Sequence, residues 1–292
     1  MIPLWKPKAR REASYRRNLL IIAREIIKRC KRITDIPKLL RELHKIADSK
    51  KFQKMADSAA MKFVTQLFSD QGKTWREAAR ANSKGKELYD ALQEELKGDT
   101  GKLLFEEIRQ NANLIRTLPN DIAQDVTRKV AEETLKGRRA SDIEKDIQKL
   151  FPAQTKARAK LIARTETSKV HCNLIEQRCY RLGIPCYMWH DVGGAQGDGR
   201  TRYSHRKMHG VIVFWNNAPA PEDLFPLYTK TGRRYKNTLG HYHAGCAPNC
   251  RCYPDVIMEM DDIEWPARVY ANGSIVKMTK QQFIQQYGVI EA

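Results

Sequence analysis

Apolar residues recur at helical spacing through the first 180 or so positions and take on strand character only beyond them. Tyr15, Leu19, Ile22, Ile26 and Ile33 are separated by four, three, four and seven residues, which predicts a helix with one apolar face. From Asp35 to Leu118 the pattern reads as helix after helix, separated by Asp48-Ser49, Asp70-Gln71-Gly72, Asn82 to Gly85 and Gly98 to Gly101. Phe63, Leu67 and Trp75, then Leu88, Leu92 and Leu96, supply core positions at helical spacing. Pro119-Asn120 is expected to open a further helix with Ile122, Val126 and Val130 on one side and Gly137 as its left-handed cap. Ser141 and Glu144 have the spacing of a capping box for a helix that turns Ile143, Ile147, Leu150 and Phe151 inward and stops at Pro152. A last long helix is expected from about Thr155 to Leu182, capped by Gly183, roughly 40 Å long at 1.5 Å per residue.

After Gly183 the period changes. Ile184 to Trp189 and Val211 to Trp215 are strand candidates, and Asn272-Gly273 between β-prone residues predicts a hairpin. Thr279 with Gln282 caps a short terminal helix that ends at Gly288. The expected fold class is mainly α: a long helical N-terminal region followed by a small α+β, loop-rich domain with a Cys/His clamp as a candidate. The expected segments are a basic amphipathic helical arm at 1–34, a helical region at 35–154, a motif-bearing domain at 155–257 and a hairpin-and-helix tail at 258–292.

Charge changes the picture first. Of 292 residues, 53 are Lys or Arg against 34 Asp or Glu, a formal net charge of +19, and mean hydropathy is -0.62. Such a surplus favours polyanions, with contacts that weaken steeply in salt; solubility or an acidic protein partner explains it equally. The densest block is in the arm, where Arg10, Arg11, Arg16, Arg17, Arg24, Lys28, Arg29, Lys31 and Arg32 back the apolar stripe. This helix reads as packed or oligomerising with a solvated back, as a nucleic-acid or acidic-partner contact, or, third, as a membrane-surface helix. Seven cysteines is an odd count, and no apolar segment with a small-residue cleavage site opens the chain, so the expected setting is cytosolic and reducing. The most apolar run, Leu19 to Ala23, falls far short of a membrane span.

Candidate chemistry gathers between Trp189 and Tyr253. His190 and His205 lie toward one end of this stretch, and His241, His243, Cys246, Cys250 and Cys252 at the other; Pro219, Pro221, Pro226 and Gly232 mark a turn-rich middle. A loop with little apolar periodicity cannot offset its ordering entropy by burial and needs a clamp at its base. His205 with Cys246, Cys250 and Cys252 forms a Cys3His set suited to tetrahedral zinc, although the C-x-C spacing is tight and no second knuckle is present. Reduced thiols packed as small hydrophobes are the alternative. On either reading these four residues are expected together at the loop base.

Ala163-Arg164-Thr165-Glu166, Trp189, Asp198-Gly199-Arg200-Thr201-Arg202-Tyr203-Ser204-His205, Gly210 and Asn249-Cys250-Arg251-Cys252 closely resemble, in this order and at these separations, the phage head morphogenesis family. These are minor head proteins similar to the F protein of phage Mu, and the resemblance covers roughly Asn111 to Asp255. Arg164, Thr165, Glu166, Trp189, Asp198, Arg200, Thr201, His205, Gly210, Asn249, Cys250 and Cys252 match its motif positions. His209 departs from it, standing where the family often has an acidic residue, and Cys246 and His243 are not fixed family features. The resemblance implies a minor capsid protein of a tailed-phage virion, assembled in the host cytoplasm, in few copies, at the portal or inner head. The implied partners are the portal protein, the major capsid protein and the double-stranded DNA genome, with no membrane. Family members are not established enzymes, and no catalytic residue is expected.

Two enzymatic readings stand beside it. A metal-dependent DNA-processing nuclease would use His190, Asp191 and His205 around a divalent ion, but Asp198 is the only acid between Gly193 and Ala218. ADP-ribosyl transfer, prompted by Arg164 and Glu166, lacks a convincing Glu-x-Glu strand, and no P-loop or dinucleotide fingerprint occurs.

Overall fold

The structure, a computed structural model, describes residues 4–81, 90, 94–95, 98–193, 201–228, 231–233 and 239–290. Its helices are α1 (Ala9–Cys30), α2 (Ile36–Asp48), α3 (Lys50–Ala81), α4 (Asp99–Leu135), α5 (Ala140–Leu182), α6 (Tyr203–Met208), α7 (Pro221–Leu224) and α8 (Lys280–Tyr287). The strands are β1 (Cys186–His190), β2 (Val211–Phe214), β3 (Tyr253–Val256), β4 (Ala267–Ala271) and β5 (Ser274–Met278). The protein is thus mainly α, with long N-terminal helices and then a small mixed-sheet domain carrying a His/Cys cluster. Among the described residues no helix is long and apolar enough to cross a membrane.

The chain divides into two compact units: Ala9–Gln66 with Phe105–Glu166, and Met1–Lys8 with Leu67–Leu104 and Thr167–Ala292. The first is helical. Its core is built on the predicted α1 stripe, with Tyr15, Leu19, Ile22 and Ile26 buried. The Tyr15 ring stacks on Phe63 at 3.8 Å, and its hydroxyl donates to Asn111 Oδ1 at 3.2 Å.

Three expected breaks are absent. α3 runs through Asp70-Gln71-Gly72, α4 through Pro119 and α5 through Pro152. In each case the buried stripe continues across the break: Leu67, Gln71 and Trp75; Ile115, Leu118 and Ile122; Ile147, Phe151, Thr155 and Ala159. An interior proline costs about 3 kcal/mol, whereas each large apolar side chain buried on either side contributes about 1.5–3 kcal/mol. Continuity of the face therefore wins. α5 also begins at Ala140, so Ser141 and Glu144 lie inside the helix rather than at its cap position. Leu88, Leu92 and Leu96 lie outside the described residues.

The sheet belongs to the second unit and has strand order β3-β1-β2-β4-β5, parallel only between β2 and β4. Strand alternation divides its faces. Tyr187, Trp189, Val211 and Val213 join a core with Cys172, Ile175 and Cys179 of α5, while Cys186, Ile212 and Val269 pack with Phe283 of α8. The β4–β5 hairpin turns at Asn272 (φ 50°) and Gly273 (φ 76°), the two left-handed positions that a two-residue turn of this type requires. Thr279 and Gln282 form the expected capping box of α8.

Beneath the same core lies a buried polar network. Gln71 Nε2 donates to the His171 carbonyl at 2.7 Å and lies 2.9 Å from His171 Nδ1; His171 Nε2 meets the Trp5 carbonyl at 2.8 Å. Nε2 thus carries the proton and Nδ1 accepts. Burial, opposed by the Trp5 carbonyl and aided by nearby Arg178, holds His171 down at about 4, and burial likewise holds His243 at about 4. Both folded values lie below the unfolded value near 6.5, so the unfolded chain binds more protons in that window. Asp255, raised to about 6 by burial and by Asp262, acts in the opposite direction. Urea midpoints are expected to fall between pH 7 and pH 5; a midpoint that holds or rises would contradict the buried neutral histidines.

Candidate functional site

His205 sits in the six-residue α6, Cys250 and Cys252 in the segment leading into β3, and Trp189 near the end of β1. His205, Cys250 and Cys252 are all buried, and one ligand atom from each lies within 4.8 Å of the others. His205 Nδ1 is 3.4 Å from each sulfur. The far side of the ring is also held: Nε2 lies 2.8 Å from the Tyr242 hydroxyl and 3.5 Å from Glu222 Oε1 of α7. Tyr242 in turn donates to Glu222 at 2.7 Å. A consistent proton order runs from Nε2–H to the Tyr242 oxygen and from the Tyr242 O–H to Glu222, which leaves the Nδ1 lone pair aimed at the sulfurs.

The electrostatics describe the alternative order, in which Nδ1 also carries a proton and faces a Cys250 thiolate. A hydrogen bond from Cys252 and the nearby His205 hold the Cys250 thiol well below its ordinary range despite burial. The same Cys250 contact, together with burial, pushes Cys252 up. Burial would lower His205, but Cys250 and Glu222 outweigh it and its pKa is raised. Burial would raise Glu222, yet bonds from His205 and Tyr242 hold it at about 2. The Trp189 ring meets His205 edge-on at 5.6 Å.

The chain around the cluster is fastened by backbone contacts. Tyr187 Oη accepts from the Ala244 amide at 3.2 Å and lies 3.1 Å from His243 Nδ1, while His243 Nε2 reaches the Trp215 carbonyl at 3.1 Å. His241 Nδ1 meets the Ala218 carbonyl at 2.7 Å, and Arg202 donates to the Pro248 carbonyl at 2.8 Å. Gly210, at φ +73°, donates its amide to the Trp189 carbonyl at 2.8 Å and so ties the turn after α6 to β1.

The fourth expected ligand, Cys246, is not in this group. It lies beside Cys172, with its sulfur 4.0 Å from Asn173 Oδ1. The set of the nuclease reading is not gathered either. His190 faces Asp255 at 3.3 Å, Asp191 faces His209 at 3.3 Å, and His205 faces the thiols. Burial and His209 hold His190 at about 4, so at neutral pH it is an uncharged ring beside a carboxylate. Among the described residues the three-member His/Cys set is the one cluster with metal-ligand spacing.

The other motif residues are spread along the fold. Arg164 and Glu166, which cannot face each other at two residues' separation, lie on α5: Arg164 Nε is 3.7 Å from Glu12 Oε1, and Glu166 is buried near Tyr15. Thr165 and Thr201 are half-buried, and Asn249 occupies a left-handed turn at φ 60°. Asp198 and Arg200 lie outside the described residues. On the arm, Arg10, Arg17, Arg24, Lys28, Arg29, Lys31 and Arg32 are exposed, while Arg11 and Arg16 are partly covered. Arg29 pairs with Glu42 at 2.5 Å.

Sequence reasoning missed Glu222, Tyr242 and Gly245. Glu222 sits in the turn-rich middle with no periodicity to single it out, whereas Tyr242, between His241 and His243, and Gly245, between His243 and Cys246, were visible inside the ligand-rich segment.

The fold and this cluster define a helical protein whose small mixed-sheet domain carries a buried cluster of histidine and cysteine side chains. Residues 121–254 match the family described as Phage Mu protein F like protein, so this part of the chain is similar to that family. A Haemophilus influenzae protein, named only as an uncharacterized protein, is 26% identical over 253 residues, which cover 80% of this chain and 50% of that protein. The chain therefore spans about half the length of the relative it matches. No solved structure matches it.

Proposed function

We propose that this chain is a minor, non-enzymatic component of a tailed-phage head, acting in head assembly through the portal or major capsid protein and touching the packaged double-stranded DNA. The observation that carries the reading is the phage Mu F-like region at 121–254, which contains both α5 and the His/Cys cluster. Copy-number analysis of purified particles with pull-down of portal and capsid proteins tests it. Absence of the protein from both proheads and virions would end this reading.

The genome contact rests on α1. Arg10, Arg17, Arg24 and Lys28 are exposed and recur at seven, seven and four residues, forming one row opposite the buried Tyr15, Leu19, Ile22 and Ile26. A cationic row on a helix anchored by its other face is suited to phosphates rather than base edges. The full chain is therefore expected to bind duplex DNA without sequence preference and to lose affinity linearly in log–log plots against salt. Changing Arg17, Arg24 and Lys28 together to Gln should make that slope shallower by about 2–3, at roughly 0.9 per phosphate contact. An unchanged slope would remove α1 from the contact, and no binding would remove the genome clause alone.

A further inference from the structure

We propose that His205 Nδ1, Cys250 Sγ and Cys252 Sγ hold one structural zinc ion, in a site backed by Tyr242 and Glu222 and built without Cys246. The inference is independent of the head-assembly reading.

Geometry supports it first. A tetrahedral zinc with Zn–S near 2.3 Å and Zn–N near 2.05 Å sets its nitrogen–sulfur edges at about 3.6 Å. The two Nδ1–sulfur distances are both 3.4 Å. An ion capping this triangle would take three protein ligands at edges close to the tetrahedral ones and leave its fourth position to a water.

The surroundings support it second. A histidine that ligates zinc usually gives its other ring N–H to a carboxylate or a group bonded to one, which fixes its orientation and raises its basicity. Here Tyr242 and Glu222 occupy that place. The Cys252 amide donates to Cys250 Sγ at 3.3 Å, and a donor aimed at sulfur favours the thiolate that a metal needs. Beside Cys252 lies the buried indole N–H of Trp189, which finds no acceptor of good geometry among the described residues. A thiolate at Cys252 would give it one.

A second chemistry uses the same atoms: Cys250, His205 and Glu222 have the order of a nucleophile, a base and its orienting carboxylate. Burial decides between them. Cys250 is 4% exposed and His205 1%, so a substrate would have no approach to the sulfur, whereas a small ion needs no standing channel once it is held. Cys246, only partly buried and turned to Cys172 and Asn173, contributes to neither.

The test uses the full-length chain, refolded with zinc and passed through metal-free buffer. Elemental analysis should find about one zinc per chain, retained in Cys246→Ser and lost in Cys250→Ser and His205→Ala. Should those two variants fail to fold, the intact chain still reports: titrating its thiols with a mercurial should release zinc in step with modification of Cys250 and Cys252. Cobalt in its place should give thiolate charge-transfer and tetrahedral ligand-field bands. Glu222→Gln should keep the fold and weaken zinc affinity about 10–100-fold. A folded wild-type chain without stoichiometric zinc, or metal lost in Cys246→Ser but kept in Cys250→Ser, would overturn the proposal. Rapid alkylation of Cys250 alone in a folded, metal-free chain would also overturn it, in favour of the nucleophile.

Discussion

Replacing Arg178 with methionine is expected to cost about 3–5 kcal/mol of folding stability, the range found when one partner of a buried ion pair is removed. The guanidinium is 1% exposed and bidentate to Glu95, with Nε to Oε2 at 2.7 Å and Nη2 to Oε1 at 3.0 Å. Its third contact, Nη1 to Gln71 Oε1 at 3.0 Å, orients the amide that serves His171. It also lies over the Phe68 ring at 4.7 Å. Methionine retains much of the packing but leaves the Glu95 carboxylate uncompensated and Gln71 without its donor. Removing both charges, Arg178→Met with Glu95→Gln, should cost clearly less than the sum of the single changes, because the stranded charge is then absent. Lysine should not rescue fully, since a point charge cannot serve Glu95 and Gln71 together in this fork. Urea denaturation of the four members of the cycle measures the coupling; a single variant within about 1 kcal/mol of wild type would contradict the buried-pair argument.

Gly245→Ala should be comparably severe, at roughly 3 kcal/mol or more, since strained backbone and overpacking each cost about 1–3 kcal/mol. The residue stands at φ +93°, and a Cβ there would lie 2.8 Å from the Cys252 carbonyl and 3.1 Å from the Ser168 carbonyl. Both obstacles are backbone, so no side chain can swing aside. Gly183→Ala is the control, because its φ of +72° carries the conformational cost with nothing within 4 Å of the added atom. It should lose only about 1 kcal/mol. The difference between the two in thermal or urea unfolding isolates the clash. As the clash falls on Cys252 itself, Gly245→Ala should also reduce any metal retention at the cluster. Equal costs for the two variants would show that only backbone conformation matters at Gly245.

The contrast between these positions bears on what could be read in advance. Gly183 and Gly137 follow the ends of periodic helices and were legible as left-handed positions from the pattern alone. Gly245 has no such frame; its requirement arises because Ser168, distant in sequence, is brought against it. Likewise Arg178 looked like one more charge on an α5 rich in them, and only the approach of Glu95, Gln71 and Phe68 makes it a buried cation. The prolines misled in the opposite direction. Pro119 and Pro152 carry strong local stop signals, yet the stripes on both sides of each share one face, and the burial of that face outweighs a missing backbone hydrogen bond.

What the sequence determined by itself is what depends on neighbours along the chain: the apolar face of α1, the β4–β5 hairpin at Asn272-Gly273, the capping box of α8, and a likeness to the phage Mu F-like family that the match over residues 121–254 supports. It also suggested His205, Cys250 and Cys252 as neighbours, though with Cys246 among them. What only the tertiary structure decided is which groups complete the cluster. Glu222 and Tyr242, rather than Cys246, stand behind and beside it, and His190 and Asp191 turn to Asp255 and His209. Those choices depend on how the strands align and on where a turn-rich segment returns, and a contact between residues far apart in sequence leaves no periodic trace in either one.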